Sequence, residues 1–363
     1  MKKIYMKCYL EKNLGDDLLC KCFADRYGGS IIATSTSKYN TGYLPPNIKI
    51  VHINKPLYYL SIIGNKIMPN TLTIDAIISR FCKSTVIVGG SMFIEGKNSQ
   101  FGPSKKNSPY GFLKNKMYYI VGSNIGPYHT EAFATYTKRI FKNSIRSTVR
   151  DNNSYRLLRE LKNVNYSTDL SFIGNYEQYT KDGAQKAIVS IIDCNAKKKQ
   201  FDKNVIPEDY YKKISAIIRQ LLDLKYEVVL FSFCKKEGDE NAINELLANY
   251  MDNESKSKIN IYKYDGNLEE ALHIIGQSNL IIGSRLHANI LGILMKKNII
   301  PIIYNNKTRE FLRDINFVGL TIELSEIEKF NPAVITPANI KGKNSINKYL
   351  KNINSTLELI DSI

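Results

Sequence analysis

Short apolar runs alternate along this chain with longer segments whose apolar residues recur every three or four positions, a rhythm that predicts strand followed by helix. In the first half, Lys2 to Leu10 reads as a strand and Leu14 to Tyr27 as a helix, and Ile48 to Ile53, Thr85 to Gly89 and Met117 to Gly122 read as further strands. Glu131 to Phe141 has helical spacing, and Ile145 to Val149 with Asn152 to Leu161 gives one more strand and helix. A polar segment with Tyr and Gly lies around Gly174 to Gly183, and then the rhythm restarts. Strands are expected at Ala187 to Ile192, Glu227 to Phe231, Ile259 to Tyr262, Leu280 to Ile282 and Ile299 to Ile303. The helices between them are Glu208 to Leu224, Asp239 to Tyr250, Leu268 to Ile275 and Ala288 to Met295, and Ser345 to Ile363 reads as a closing helix.

Alternation of this kind implies parallel βα units. The fold class expected is α/β, with two Rossmann-like domains and a ligand cleft between them. The boundaries read as 1–178 for the first domain, 179–345 for the second, and 346–363 for a helix packing back on the first.

Composition narrows the class without fixing a function. The 363 residues are 43% hydrophobic and 23% charged, which suits a globular protein with a sizeable core. No leader pattern or apolar run of membrane-spanning length is seen, so a cytoplasmic protein is expected. Six cysteines without a Cys-x-x-Cys pair read as reduced structural thiols, and no His, Cys and carboxylate cluster has metal-ligand spacing. The net charge of +17 favours anionic partners. No nucleic-acid module accompanies it, although short basic patches occur at Lys105-Lys106 and Lys197-Lys198-Lys199.

The candidate chemistry collects where strands end. Gly283-Ser284-Arg285-Leu286-His287-Ala288 is a strand-to-helix junction that puts a permanent cation and a titratable imidazole two residues apart. Ligands of open α/β sheets collect at the carboxyl ends of strands, and a helix N-terminus adds N–H groups and a positive dipole end. Glycine turns follow strands at Asn13-Leu14-Gly15-Asp16, at Gly89-Gly90-Ser91 and at Gly122 to Pro127. None is a dinucleotide fingerprint or a Walker loop. Asp16 can accept hydrogen bonds from a ligand or cap the helix after it, and Asp151 can cap the helix containing Ser154. Of the other histidines, His129 near Gly126-Pro127 is a second candidate, whereas His52 and His273 lie in strand and helix patterns.

Asn13-x-Gly15-Asp16, Gly89-Gly90-Ser91, Gly126-Pro127, Val149-Arg150-Asp151-x-x-Ser154, Asp169-x-x-Phe172, Ser284-Arg285-Leu286-His287-Ala288 and Tyr304-x-x-Lys307 occur in the order seen in polysaccharide pyruvyl transferases. The chain resembles that family over roughly residues 5 to 315, with Asp17 where the family more usually carries Glu. The resemblance implies a GT-B-like arrangement and transfer of the pyruvyl group of phosphoenolpyruvate to two hydroxyls of a sugar, giving a cyclic ketal, with no cofactor. It implies Arg285 and His287 as catalytic residues. It implies substrate contacts from Arg150, Ser284, Lys307, Asn13, Gly15, Asp16, Gly89, Gly90 and Ser91. The partners expected are phosphoenolpyruvate and a glycan acceptor, free, polymeric or lipid-linked, together with peripheral contact to an anionic membrane at the inner face. Two other readings stay open: a GT-B glycosyltransferase using a nucleotide sugar, and a catalytically silent scaffold of the same fold.

Overall fold

A computed structural model describes residues 3–40, 42–96, 110–181, 185–197 and 205–363. The patches at Lys105-Lys106 and Lys198-Lys199 lie outside these. The chain divides into two units: residues 1–11, 16–174 and 349–363 form the first, and residues 12–15 and 175–348 the second.

The first unit holds a parallel sheet of β1 (Ile4–Lys7), β2 (Ile31–Ser35), β3 (Ile48–His52), β4 (Thr85–Val88), β5 (Tyr118–Ser123), β6 (Arg146–Val149) and β7 (Val164–Tyr166). Its order is β3-β2-β1-β4-β5-β6-β7. The helices between strands are α1 (Leu14–Tyr27), α2 (Lys55–Ile67), α3 (Ile74–Arg80), α4 (Glu131–Asn143) and α5 (Asn152–Leu158). β4 is buried at every position, so its Thr-Val-Ile-Val run is apolar rather than alternating, as both faces of a central parallel strand require.

The second unit repeats the plan with β8 (Lys186–Ser190), β9 (Glu227–Ser232), β10 (Ile259–Lys263), β11 (Leu280–Gly283), β12 (Asn298–Ile303) and β13 (Ile322–Glu323), in the order β10-β9-β8-β11-β12-β13. Its helices are α6 (Cys194–Lys197), α7 (Pro207–Asp223), α8 (Asp239–Asn249), α9 (Asn253–Ser257), α10 (Leu268–Gly276), α11 (Leu286–Leu294) and α12 (Asn306–Asp314). Pro207 opens α7 where no intrahelical N–H is needed, and Tyr210, Ile214, Ile217, Ile218 and Leu221 form its buried stripe. That stripe packs with Val189, Leu230, Ile282 and Ile300 of the sheet. Each such side chain contributes about 1.5–3 kcal/mol of burial.

Both sheets are wound in the Rossmann manner, running outward in both directions from the first strand of each. The switch points therefore fall between β1 and β4 and between β8 and β11. The glycine pair after β4 and the Arg285-x-His287 step after β11 leave the sheets at these two points.

At the end of the second unit α13 (Ile346–Leu350) begins, and a 3-10 turn joins it to α14 (Asn354–Asp361) rather than the two forming one helix. The tail from Tyr349 belongs to the first unit. Thr356 is buried and hydrogen-bonds Ser167 and Thr148, while Arg26 pairs with Asp361 and Arg146 with Glu358. The sequence pattern omits β2, β7, β13, α2, α3, α6, α9 and α12, most of them short or poorly patterned.

Candidate active site

In the second unit the site is built around Arg285. β11 hands on to α11 through Ser284, whose N–H continues the ladder to the Ser190 carbonyl at 2.9 Å, and Arg285 occupies the N-cap position with extended backbone angles. Its side chain is not aimed at open solvent. Nε donates to both oxygens of Asp239, at 3.1 and 3.2 Å, Nη2 donates to Asp239 and Nη1 to Glu237. Asp239, the first residue of α8, is fully buried, and its Oδ2 also accepts the N–H groups of Phe233 (2.9 Å) and Cys234 (3.1 Å). Burial raises the Asp239 carboxyl above its ordinary value against the pull of Arg285. Burial likewise opposes the Arg285 charge, but Asp239, then Glu237 and Tyr304, outweigh it and hold the guanidinium protonated. A guanidinium has five N–H donors, so one further N–H on each terminal nitrogen is left over from these bonds.

His287 is the second residue of α11 and half-buried. Its ring lies against the backbone of Gly15: a Cβ there would stand 2.1 Å from Nδ1. Gly15 is thus fixed by space, since any larger residue displaces the imidazole. Its neighbour Asn13 bonds to the same loop as Arg285. Asn13 Nδ2 donates to Glu237 at 3.0 Å, its backbone bridges Cys234, and its Oδ1 accepts the Gly15 N–H at 3.1 Å. Asn13 rather than Asp16 therefore supplies the cap of α1, and Asp16 stands inside the helix. Burial, then Glu237, pushes the Cys234 thiol up to about 12, so no thiolate stands at this corner at neutral pH.

Ser284 turns its buried hydroxyl toward the Tyr210 phenol of α7, at 3.3 Å. Lys307 is half-buried on the first turn of α12, which Asn305 caps through the Thr308 N–H at 3.2 Å. The first turn of α11 carries no acidic residue and no side-chain cap. The corner thus gathers a helix N-terminus, an imidazole and a guanidinium held rigid by two carboxylates. It can bind an anion and move a proton beside it.

The first unit gathers Arg150, Gly89, Gly90 and Asp16. Arg150 follows β6 and is buried. Its Nη1 bonds Asp169 at 2.5 Å and its Nη2 bonds the Asn124 carbonyl oxygen at 2.9 Å. The guanidinium lies flat on Gly90, where a Cβ would come within 2.2 Å of it. Asp169 caps the turn Leu170–Ile173 through Ser171. Asp16 Oδ1 lies 3.9 Å from where a Gly89 Cβ would be, and Ser91 is half-buried after the pair. Asp151 caps α5 by accepting the Ser154 N–H at 2.8 Å. His129 is exposed and outside this group, its N–H held by Glu95. His273 packs edge-on against Tyr179, with ring centroids 5.0 Å apart.

The sequence reading gives Asp239, Glu237 and Asn124 no part in the site, and names Asp169 only as a motif residue. A usable signal was present for Asp239: it opens a helix just after a strand next to β8, where carboxylates meet a ligand-side arginine. Among the described residues no group of three or more His, Cys, Asp and Glu side chains could hold a metal. No helix there is long and apolar enough to cross a membrane.

Over the whole chain the fold is similar to a glycosyltransferase from Rickettsia africae (14% identity, TM-score 0.53, covering 99% of this chain and 98% of that one). It is also similar to Anabaena Alr3699/HepE in complex with UDP-glucose (8% identity, TM-score 0.56, both chains covered fully). Methanocaldococcus jannaschii UDP-GlcNAc 2-epimerase is a third (12% identity, TM-score 0.58, 98% of each chain). At these identities the likeness concerns the fold, two Rossmann-like units. In sequence, the chain is 21% identical over 266 residues to the amylovoran biosynthesis protein AmsJ of Erwinia amylovora, a match spanning 67% of this chain and 62% of that protein. Residues 13–306, from the Asn13 cap to the start of α12, match the family described as polysaccharide pyruvyl transferase, and the chain belongs to that transferase family.

Proposed function

We propose that the protein transfers the pyruvyl group of phosphoenolpyruvate to two hydroxyls of a glycan sugar during polysaccharide biosynthesis. The observation that carries this reading is the placement of His287 two residues from the rigidly held Arg285 at the switch point of the second sheet.

The chemistry asks for these groups. Protonation of the C3 methylene turns it into a methyl group and makes C2 electrophilic. One sugar hydroxyl adds to C2, the C2–O bond to phosphate breaks, and the second hydroxyl closes the ketal. The two hydroxyl protons balance the one gained by C3 and the one leaving with phosphate. His287 carries the proton to C3. The substrate's anionic groups meet the first-turn N–H groups of α11 and the remaining Arg285 donors, with Lys307 adding charge. Two carboxylates bind Arg285, so its role is chiefly to fix the corner, and the dipole end of α11 supplies much of the attraction. In the first unit, Asp16 and Ser91 beside the Gly89-Gly90 turn are suited to accept sugar hydroxyls, and Arg150 holds that turn from beneath. The reaction calls for no resident cofactor.

Thermal shift tests the reading. Millimolar phosphoenolpyruvate is expected to raise the melting temperature where phosphate, pyruvate, UDP-glucose and GDP-mannose do not. Saturation at 100 times Kd corresponds to about 2.7 kcal/mol. Stabilisation by a nucleotide sugar alone overturns the proposal in favour of glycosyl transfer.

A further inference from the structure

Helix α2 is amphipathic in the wrong sense for a helix of a globular domain. Its inward side carries a single large apolar residue, Leu57, and is otherwise Ser61, Gly64 and Asn65. Ser61 Oγ accepts the Ile74 N–H at 3.2 Å, Asn65 Oδ1 accepts the Asn70 N–H at 2.7 Å, and a Cβ on Gly64 would stand 2.7 Å from the Leu72 carbonyl oxygen. Its outward side is apolar. Tyr59, Ile63 and Ile67 form a stripe at four-residue spacing, with Leu60 beside them and Ile62 and Tyr58 on the flank, all exposed. Leu60 is 63% and Ile67 70% accessible, and no residue of the helix is buried. A contiguous outward apolar face of this kind marks an interaction surface.

The charge around it identifies the occupant. From Arg26 to Ile74 the chain contains no Asp or Glu, while Lys38, Lys49, Lys55 and Lys66 are exposed. Among the described residues none of these four lysines is in a salt bridge. Lys55 and Lys66 project at nearly the same angle around α2, along the edge of the apolar stripe. A second copy would bring this lysine set against itself across a two-fold axis, which like charges oppose. An anionic lipid surface satisfies both features: the stripe enters the headgroup boundary, Tyr58 and Tyr59 sit at its level, and the lysines meet lipid phosphates.

We propose that α2 docks this protein on an anionic bilayer surface, with the Tyr59, Leu60, Ile63 and Ile67 face inserted and Lys55 and Lys66 on the headgroups. This does not depend on the transfer reaction.

The chain has no tryptophan, so Ile63→Trp in the full chain gives a single-site probe. Its emission is expected to shift to the blue with phosphatidylcholine vesicles containing phosphatidylglycerol, and not with phosphatidylcholine alone. Co-sedimentation of the protein without the Trp probe is expected to weaken roughly fivefold for each lysine neutralised in Lys55→Gln and Lys66→Gln. The triple variant Leu60→Ser, Ile63→Ser, Ile67→Ser is expected to lose binding at an unchanged melting temperature. Unshifted emission, equal binding to neutral vesicles, or a triple variant that binds like the parent each overturns the proposal. So does light scattering that finds a dimer dissociated by the triple substitution.

Discussion

Arg150 and Arg285 make an instructive pair. Each follows a parallel strand, is buried, and is gripped by a carboxylate distant in sequence. Arg150 is matched by one carboxylate and a carboxamide, in a neutral pair packed under a glycine. Arg285 faces two carboxylates and stands two residues from a half-buried imidazole. The first arrangement is a strut. In the second, the guanidinium is over-compensated, so Arg285 orders the junction, and any anion held there would have to be attracted by the backbone and neighbouring cations. A conspicuous arginine in a motif is thus not by itself an anion clamp; its partners decide.

The comparison can be sharpened in order of expected effect. His287→Ala is expected to lower turnover about 10²- to 10⁴-fold while phosphoenolpyruvate still raises the melting temperature. Equal loss of ligand stabilisation shows instead that His287 is a binding contact. Arg150→Ala and Arg285→Ala each leave a buried carboxylate unpaired and are expected to cost about 3–5 kcal/mol in denaturant unfolding. Neutralising both partners in Arg285→Met with Asp239→Asn, whose carboxamide oxygen can still accept the Phe233 and Cys234 N–H groups, should recover part of that stability but none of the ligand response. A double variant that still responds to phosphoenolpyruvate removes Arg285 from the site. Gly90→Ala drives a methyl into a locked guanidinium and is expected to cost about 1–3 kcal/mol. Gly15→Ala should cost less stability than Gly90→Ala, since the half-buried ring of His287 can turn aside, but should reduce turnover; the reverse ranking breaks the distinction between strut and working site. Smallest of all, Glu237→Gln removes one negative charge beside the corner and is expected to tighten phosphoenolpyruvate binding roughly threefold to tenfold, by calorimetry.

What was legible in the sequence depends on how local the determinant is. α1 was readable from Leu14 to Tyr27 because its spacing and polar start are local, and β11 because a buried strand is an apolar run. α2 was not, since most of its apolar residues face outward and its inner side, apart from Leu57, is Ser, Gly and Asn. β2 was missed because its Thr34-Ser35 end looks like loop. Within the site, Arg285, His287 and Gly15 were visible as motif residues, whereas the contact of Gly15 with the His287 ring was not. Asp239 and Glu237 lie 46 and 48 residues from Arg285, and Asp169 lies 19 from Arg150, so these pairings exist only once the sheets are wound.

The tail carries a consequence for the order of events in synthesis. Tyr349 sits in α13, and its hydroxyl accepts the N–H of Asp169, the residue that grips Arg150, while Thr356 seals Ser167 and Thr148 beside it. On a ribosome adding about 5–20 residues per second, the second unit is entirely translated before those contacts become available. The first unit to emerge is therefore the last to be finished: its Arg150–Asp169 strut can form early, but the Asp169 N–H waits for the Tyr349 hydroxyl from beyond the second unit.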